Sequence, residues 1–235
     1  MSIVDKKSGV ISIEEIAKHE NLDKKMFRII RMDGDKVMKK FSQQFNDTKA
    51  KILENVSVHY IIKSYSINEI CEDTVRLEQG IDLECKMLSR VLDKSEEVMF
   101  SVVTVQGYDE LEDNAAGTME ALFLDGWGTA VLSCGHDILT RKLKEELEKK
   151  DIITTSEWSP GQHQVSIALQ EPLFENLKPE EIGVTLSESL MMHPKKSESG
   201  FTGLGHDRKQ SQIVPCDVCP RRETCPSAHG TGECD

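Results

Sequence analysis

The 235-residue chain carries 41 Asp and Glu against 29 Lys and Arg, a formal net charge of −12, with 38% hydrophobic and 30% charged residues. That length can bury a core, and the composition is polar without being that of a disordered chain. The acidic balance argues against a phosphate-tracking surface, so nucleic acid is not expected as a partner; Lys149-Lys150 and Lys195-Lys196 lie among acids and read as solvated faces. The opening MSIVDKKSG has no apolar run of signal-peptide length, and the longest apolar stretch, 98–105, is too short to cross a bilayer. No membrane is therefore expected, and a cytoplasmic location is. Seven cysteines in that setting read as thiols or metal ligands rather than disulfides.

Residues 1–22 have weak periodicity and suggest an extended or short helical arm. From Asp23, in N-cap position, Met26, Phe27, Ile29 and Ile30 share one helical face. Asp33-Gly34-Asp35 interrupts it as a turn, and Val37, Met38, Phe41 and Phe45 resume helical spacing toward Leu53. Residues 58–67 and 98–105 are β-branched or aromatic enough for strands, with a short helix over 83–92 between them. Two helices are expected next, 118–133 and the amphipathic 136–150. Gly126 and Gly128 in the first cost about 1 kcal/mol each, which close packing would explain. A strand over 151–158 should stop at the Ser159-Pro160-Gly161 turn. A short helix from Pro172 through 173–177 and a strand at 182–186 follow. Helices mixed with strands in irregular order favour an α+β fold.

The segment 186–205, LSESLMMHPKKSESGFTGLG, resembles the late part of the reactivation (activation) domain of cobalamin-dependent methionine synthase. That family writes Leu-Thr-Glu-Ser, two variable residues, Met, an aromatic, Pro, then Ser-x-Ser-Gly. Here the places are Leu186, Ser187, Glu188, Ser189, then Met192, His193, Pro194, then Ser197, Ser199, Gly200. SEWSPGQ, 156–162, stands where the family has a short strand ending in a Pro-Gly turn. The likeness covers roughly 20–205, with its sharp motifs in 156–205.

The resemblance implies a curved antiparallel sheet with surrounding helices over 23–205, preceded by the arm and followed by a Cys-rich unit at 206–235. In the role it implies, S-adenosylmethionine is held beside a corrinoid carried by a partner protein. With an electron from a flavodoxin- or ferredoxin-type reductant, its methyl then passes to cobalt. Ser159, Pro160, Gly161, Gln162, Glu188, Met192, Pro194, Ser197, Ser199 and Gly200 become the cofactor-facing residues. A Pro-Gly turn lets backbone approach a ligand closely, serines supply short polar contacts, and Met191 and Met192 a soft wall. The bland alternatives are a plain turn and ordinary core packing. His193 occupies a packing position and is not read as a cobalt ligand.

The pattern also breaks. The family's arginine three residues before the turn proline, which grips the S-adenosylmethionine carboxylate, is Glu157 here. Its tyrosine after the turn is Gln162, and its acidic residue in the preceding helix falls near Leu132. Arginine offers a planar double donor and glutamate offers repulsion. Either S-adenosylmethionine sits differently, with Glu157 facing its ammonium group, or it is no longer used. The alternative to reactivation is thus a corrinoid-protein-binding module without it.

Beyond 205, Cys216, Cys219, Cys225 and Cys234 follow C-x2-C-x5-C-x8-C, with prolines 215, 220 and 226 between. Thiolates in that density suit an iron–sulfur cluster or zinc, against a reduced disordered tail. Cys71, Cys85 and Cys134 read as packing residues. Seven histidines are scattered with none at helical metal spacing, and no phosphate loop or nucleophile elbow is present.

Overall fold

The computed structural model describes residues 2–225. The N-terminal segment carries β1 (Lys7–Ile11), which pairs antiparallel with the first half of β2 (Ser57–Ile70), and the short helix α1 (Ile13–Ala17). Asn21, not Asp23, stands at the N-cap position of helix α2 (Leu22–Ile30), without a side-chain capping bond. Asp23 instead lies in its first turn, where a carboxylate suits exposed amides, and pairs with Lys49. The Asp33 carboxylate accepts the Lys36 amide at 3.2 Å, so the expected turn doubles as the start of α3 (Gly34–Asn55).

After β3 (Thr74–Leu77), β4 (Asp82–Glu84) and α4 (Lys86–Val91) comes β5 (Glu97–Gln106), buried from Glu97 through Val105. That burial on both faces is why its sequence is a continuous apolar run rather than an alternation. The chain continues through α5 (Tyr108–Asp113), α6 (Thr118–Glu148), β6 (Ile153–Thr154), α7 (Gln170–Leu177), the small hairpin β7 (Thr185–Leu186) and β8 (Met192–His193), and β9 (Ser197–Gly205). The main sheet is curved and antiparallel in the order β4-β3-β2-β5-β9-β6, with helices around it, the α+β architecture that the resemblance implied. One face buries Met99, Val103 and Leu204 with Trp127 and Ile138 of α6; the other buries Phe100, Val102 and Phe201 with Trp158 and with Leu173 of α7.

Residues expected as two helices form the single helix α6, and the apparent break has a packing cause. A Cβ at Gly135 would stand 2.8 Å from Val58 Cγ1, so glycine there admits the sheet rather than ending the helix. Gly126 abuts Met26 and Ile30 of α2, and Gly128 abuts the ring of Tyr108, which supplies the close packing that the two glycines called for. Of the strand expected at 151–158, only Ile153–Thr154 is regular, and of 182–186 only Thr185–Leu186. Leu83 lies in β4, ahead of the helix assigned to it.

A Cβ at Gly128 would meet Tyr108 Cε2 at 2.5 Å. Gly128→Val should therefore destabilise by about 1–3 kcal/mol despite its better helix propensity, while Gly117→Ala, with open space around it, should stay within about 0.5 kcal/mol. Urea melts of the two variants check this.

Candidate functional site

The register of β9 against β5 sets Gly200 opposite Ser101 and Glu198 opposite Val103. Side chains alternate along a strand. Leu204 lies in the core under α6 and Phe201 in the core under α7, so Glu198, Gly200 and Thr202 face α6 while Ser197 and Ser199 face the other way.

Next to β9 runs the segment that leaves β6. Thr154 pairs with Leu204, and the next pairing is Trp158 with Phe201, whose amides and carbonyls exchange two bonds of 3.0 Å. Four steps on one chain span three on the other, the count of a β-bulge, which re-aims side chains. Trp158 turns into the core under α7, and its neighbour Glu157 turns under α6. A Cβ on Gly200 would lie 2.4 Å from Glu157 Cδ and Cγ, so the carboxylate rests on the bare backbone of β9.

Glu157 is fully engaged. Ser101 Oγ donates to its Oε2 at 2.6 Å, and His136 Nε2 from α6 stands 3.2 Å from its Oε1. The His136 and Glu157 side chains are only 22% and 16% exposed, so solvent screens the pair weakly. Burial alone would lower the His136 imidazole, but the Glu157 charge and hydrogen bond, with Glu198 nearby, push it up to about 10. Burial likewise opposes ionisation of Glu157, and the His136 cation and the Ser101 and His136 bonds outweigh it, so the carboxyl stays below its ordinary value. Glu198 moves the other way: burial raises it, the His136 charge only partly opposes this, and Glu157 adds to the rise.

Beside this trio opens a cavity of about 290 Å³. Leu139, Leu143 and Leu147 of α6 with Met99 give it an apolar wall, Val214 and Pro215 flank it, and Ser101, His136 and Glu157 give it a polar end. Leu132, the position where the resemblance placed an acid, is one helical turn before His136.

The cofactor-facing residues expected from sequence fall in several settings. Ser159 accepts the Gln162 amide at 3.2 Å, Pro160 is buried, Gly161 adopts φ 84°, and Gln162 is exposed. Glu188 is exposed between β7 and β8, and Met192 pairs with Leu186. Pro194 accepts from Ser197 Oγ at 2.6 Å, and Ser199 Oγ donates to Gln170 Oε1 at 3.0 Å in the core. The Pro-Gly turn and the Ser-Gly strand are joined through the Trp158–Phe201 bridge, but the serine side chains and the Glu157 side chain occupy opposite faces of β9. Lys195 pairs with Glu112, and Lys196 Nζ reaches Asp125 Oδ1 at 2.6 Å. Cys216 and Cys219 bracket a short turn and Cys225 lies beyond it; Cys234 falls outside the described residues. Among the described residues the one group of three such side chains with all ligand atoms within 4.8 Å is His136, Glu157 and Glu198.

Sequence reading passed over His136 and Glu198. Helical spacing does not connect them, since they come from a helix and a strand distant in the chain. The usable signal was period-two alternation in Ser197-Glu198-Ser199-Gly200, which puts Glu198 and Gly200 on one face.

No protein-family model matches the chain, and no curated protein matches it by sequence. Among solved structures, the MetH reactivation domain bound to AdoHcy aligns over 92% of this chain and 83% of that one, with a TM-score of 0.63 at 14% identity. This chain has the reactivation-domain fold. At that identity the likeness fixes architecture, and the polar residues of the site have to be judged on their own chemistry. Two carboxylates and an imidazole suit a cationic group and oppose an anionic one.

Two outcomes are expected. Gly200→Ala should destabilise by about 1–3 kcal/mol by displacing Glu157, and Gly200→Ala with Glu157→Ala should fall short of the summed single effects by at least about 0.5 kcal/mol. In chelator-treated protein, His136, raised from 6.5 to about 10, contributes stability that is complete below pH 6.5 and lost as pH rises through 10. The fall in Tm between those values should be absent in His136→Gln.

Proposed function

We propose that this chain is a reactivation factor that docks on a corrinoid-carrying methyltransferase and serves the return of its oxidised cobalt to the methylated state. The observation that carries the reading is the meeting of the Ser159-Pro160-Gly161 turn with β9 at the Trp158–Phe201 bridge, in a fold shared with a domain solved with AdoHcy. AdoHcy is what S-adenosylmethionine becomes when its methyl leaves. S-adenosylmethionine, when bound, supplies an electrophilic sulfonium methyl, and a flavodoxin- or ferredoxin-type donor supplies the electron that makes cobalt nucleophilic. The protein's own work is then placement and exclusion of water. The turn at 159–162 and the segment 192–200, through Met192, Pro194 and the backbone near Gly200, form the docking side, and the leucine-walled cavity under α6 takes the nucleoside end.

Glu157 decides how such a ligand lies. A ligand carboxylate about 4 Å from Glu157 would meet roughly 4 kcal/mol of repulsion at an effective dielectric near 20, enough to reverse binding there. The ammonium and sulfonium groups therefore face Glu157 and Glu198. The engagement of Glu157 with Ser101 and His136 also favours a second reading, a corrinoid-protein-binding module without S-adenosylmethionine use. In either reading Cys216, Cys219, Cys225 and Cys234 are the proposed ligands of an iron–sulfur cluster or zinc, and visible absorbance after anaerobic purification distinguishes the first from the second.

Calorimetry of the full chain with S-adenosylmethionine should give heat well below millimolar ligand. Silence at millimolar ligand removes the reactivation chemistry and leaves the binding module, and failure to co-elute with any cob(II)alamin-loaded methyltransferase removes both. Glu157→Arg alone would set two cations together, so a variant built to grip the ligand carboxylate must also carry His136→Gln. That double variant should bind S-adenosylmethionine at least about tenfold more tightly than the parent.

A further inference from the structure

We propose that His136, Glu157 and Glu198 form a binding site for one first-row divalent transition ion, Zn²⁺ or Fe²⁺ in type, with a coordination position open to the adjoining cavity. The inference shares Glu157 and Glu198 with the reactivation reading but is argued from this trio alone, and a Zn²⁺ titration without S-adenosylmethionine tests it separately.

The three ligand atoms lie within 4.8 Å of one another and come from α6, the bulged segment after β6, and β9. Each is fixed by the main-chain framework rather than by a loose surface loop. Zinc takes nitrogen and carboxylate oxygen at about 2.0–2.2 Å, which in a tetrahedral site sets ligands roughly 3.3 Å apart. His136 Nε2 and Glu157 Oε1 are 3.2 Å apart, already at the separation of two ligands sharing an ion. The other Glu157 oxygen is held by Ser101 Oγ at 2.6 Å, an outer contact of the kind that orients a ligating carboxylate. Gly200 supplies the space in which that carboxylate sits.

Glu198 is what separates this trio from an ordinary buried ion pair. His136 and Glu157 satisfy each other, yet a second carboxylate faces them, and among the described residues it makes no hydrogen bond. As a structural element it is a liability: it meets the like charges of Glu157 and Asp137, and against them has only the attraction of His136 and, more weakly, Lys25, with no hydrogen bond to either. As a third ligand it is accounted for. A divalent ion displaces the imidazole proton, binds Nε2, and balances the two carboxylates. One nitrogen with two oxygens suits intermediate ions rather than thiophilic ones, and Ca²⁺ and Mg²⁺ rarely take imidazole. An organic ammonium would find acceptors in the two carboxylates alone, because a protonated imidazole offers it none, whereas a divalent ion uses all three groups.

The test uses the full chain with Cys216, Cys219, Cys225 and Cys234 changed to serine, so that thiols cannot compete, after chelator treatment and dialysis. Titration with Zn²⁺ should show one ion per chain, and Co²⁺ should give visible d–d absorption without thiolate charge transfer. Loss of an outer partner alone costs roughly 10–100-fold in affinity, so loss of a ligand should cost at least as much. Glu198→Gln should therefore weaken Zn²⁺ by tenfold or more while raising the Tm of the metal-free protein, a pairing that a purely structural glutamate would not give. His136→Gln should weaken it likewise. No binding at millimolar Zn²⁺, or binding unchanged by Glu198→Gln, overturns the proposal.

Discussion

The contact between Glu157 and the bare backbone at Gly200 governs how the rest of the site is arranged. With any side chain at 200, the carboxylate could not lie against β9, and neither Ser101 nor His136 could reach it where they now do. The bulge between the Thr154–Leu204 and Trp158–Phe201 pairings does the complementary work of turning Glu157 to that face. Removing one member of a buried pair costs about 3–5 kcal/mol, because the other is left charged and unpartnered. The arrangement is accordingly stiff, and any ligand must fit it rather than reshape it.

Strand β9 divides the chemistry of the molecule in two. Its odd positions Ser199 and Phe201 join Gln170 and Trp158 in the packing beneath α7, with Ser197 on the same face beside Thr104, and its even positions, Glu198 and Gly200, join His136 and the cavity beneath α6. A motif written linearly as Ser-x-Ser-Gly is thus distributed over both faces of a sheet. The backbone of the segment can present one surface while its side chains serve two others.

The reactivation-domain fold is shared with a chain only 14% identical, so the scaffold tolerates nearly complete replacement of its side chains. The charge at the end of the cavity is set by this chain's own residues, the His136 imidazole paired with Glu157 and a second carboxylate, Glu198, close by. Fold and chemistry separate at this point, as physical reasoning expects, because a sheet register fixes positions and not residue types.

Much of the architecture was legible in the residues. The apolar run at 98–105 announced a strand, which the fold buries on both faces, and the apolar spacing from Met26 to Phe45 gave the helices that cover the sheet. Pro160-Gly161 marked a turn, and the resemblance placed it beside the Ser-Gly strand. Local patterns went astray at 134–135: the expected gap between helices 118–133 and 136–150 lies inside α6, where Gly135 lets the helix touch Val58. Sequence also exposed Glu157 as the residue of wrong charge, but nothing local could show its consequence. His136, Glu157 and Glu198 are 21 and 41 residues apart, and only strand register, a one-residue bulge and the crossing of α6 bring them together. The amino-acid order by itself determined the elements, the charge and the family likeness, because these depend on neighbours along the chain. The tertiary structure decided which side chains share a face and a dielectric, because burial and opposing charge exist only once distant segments meet.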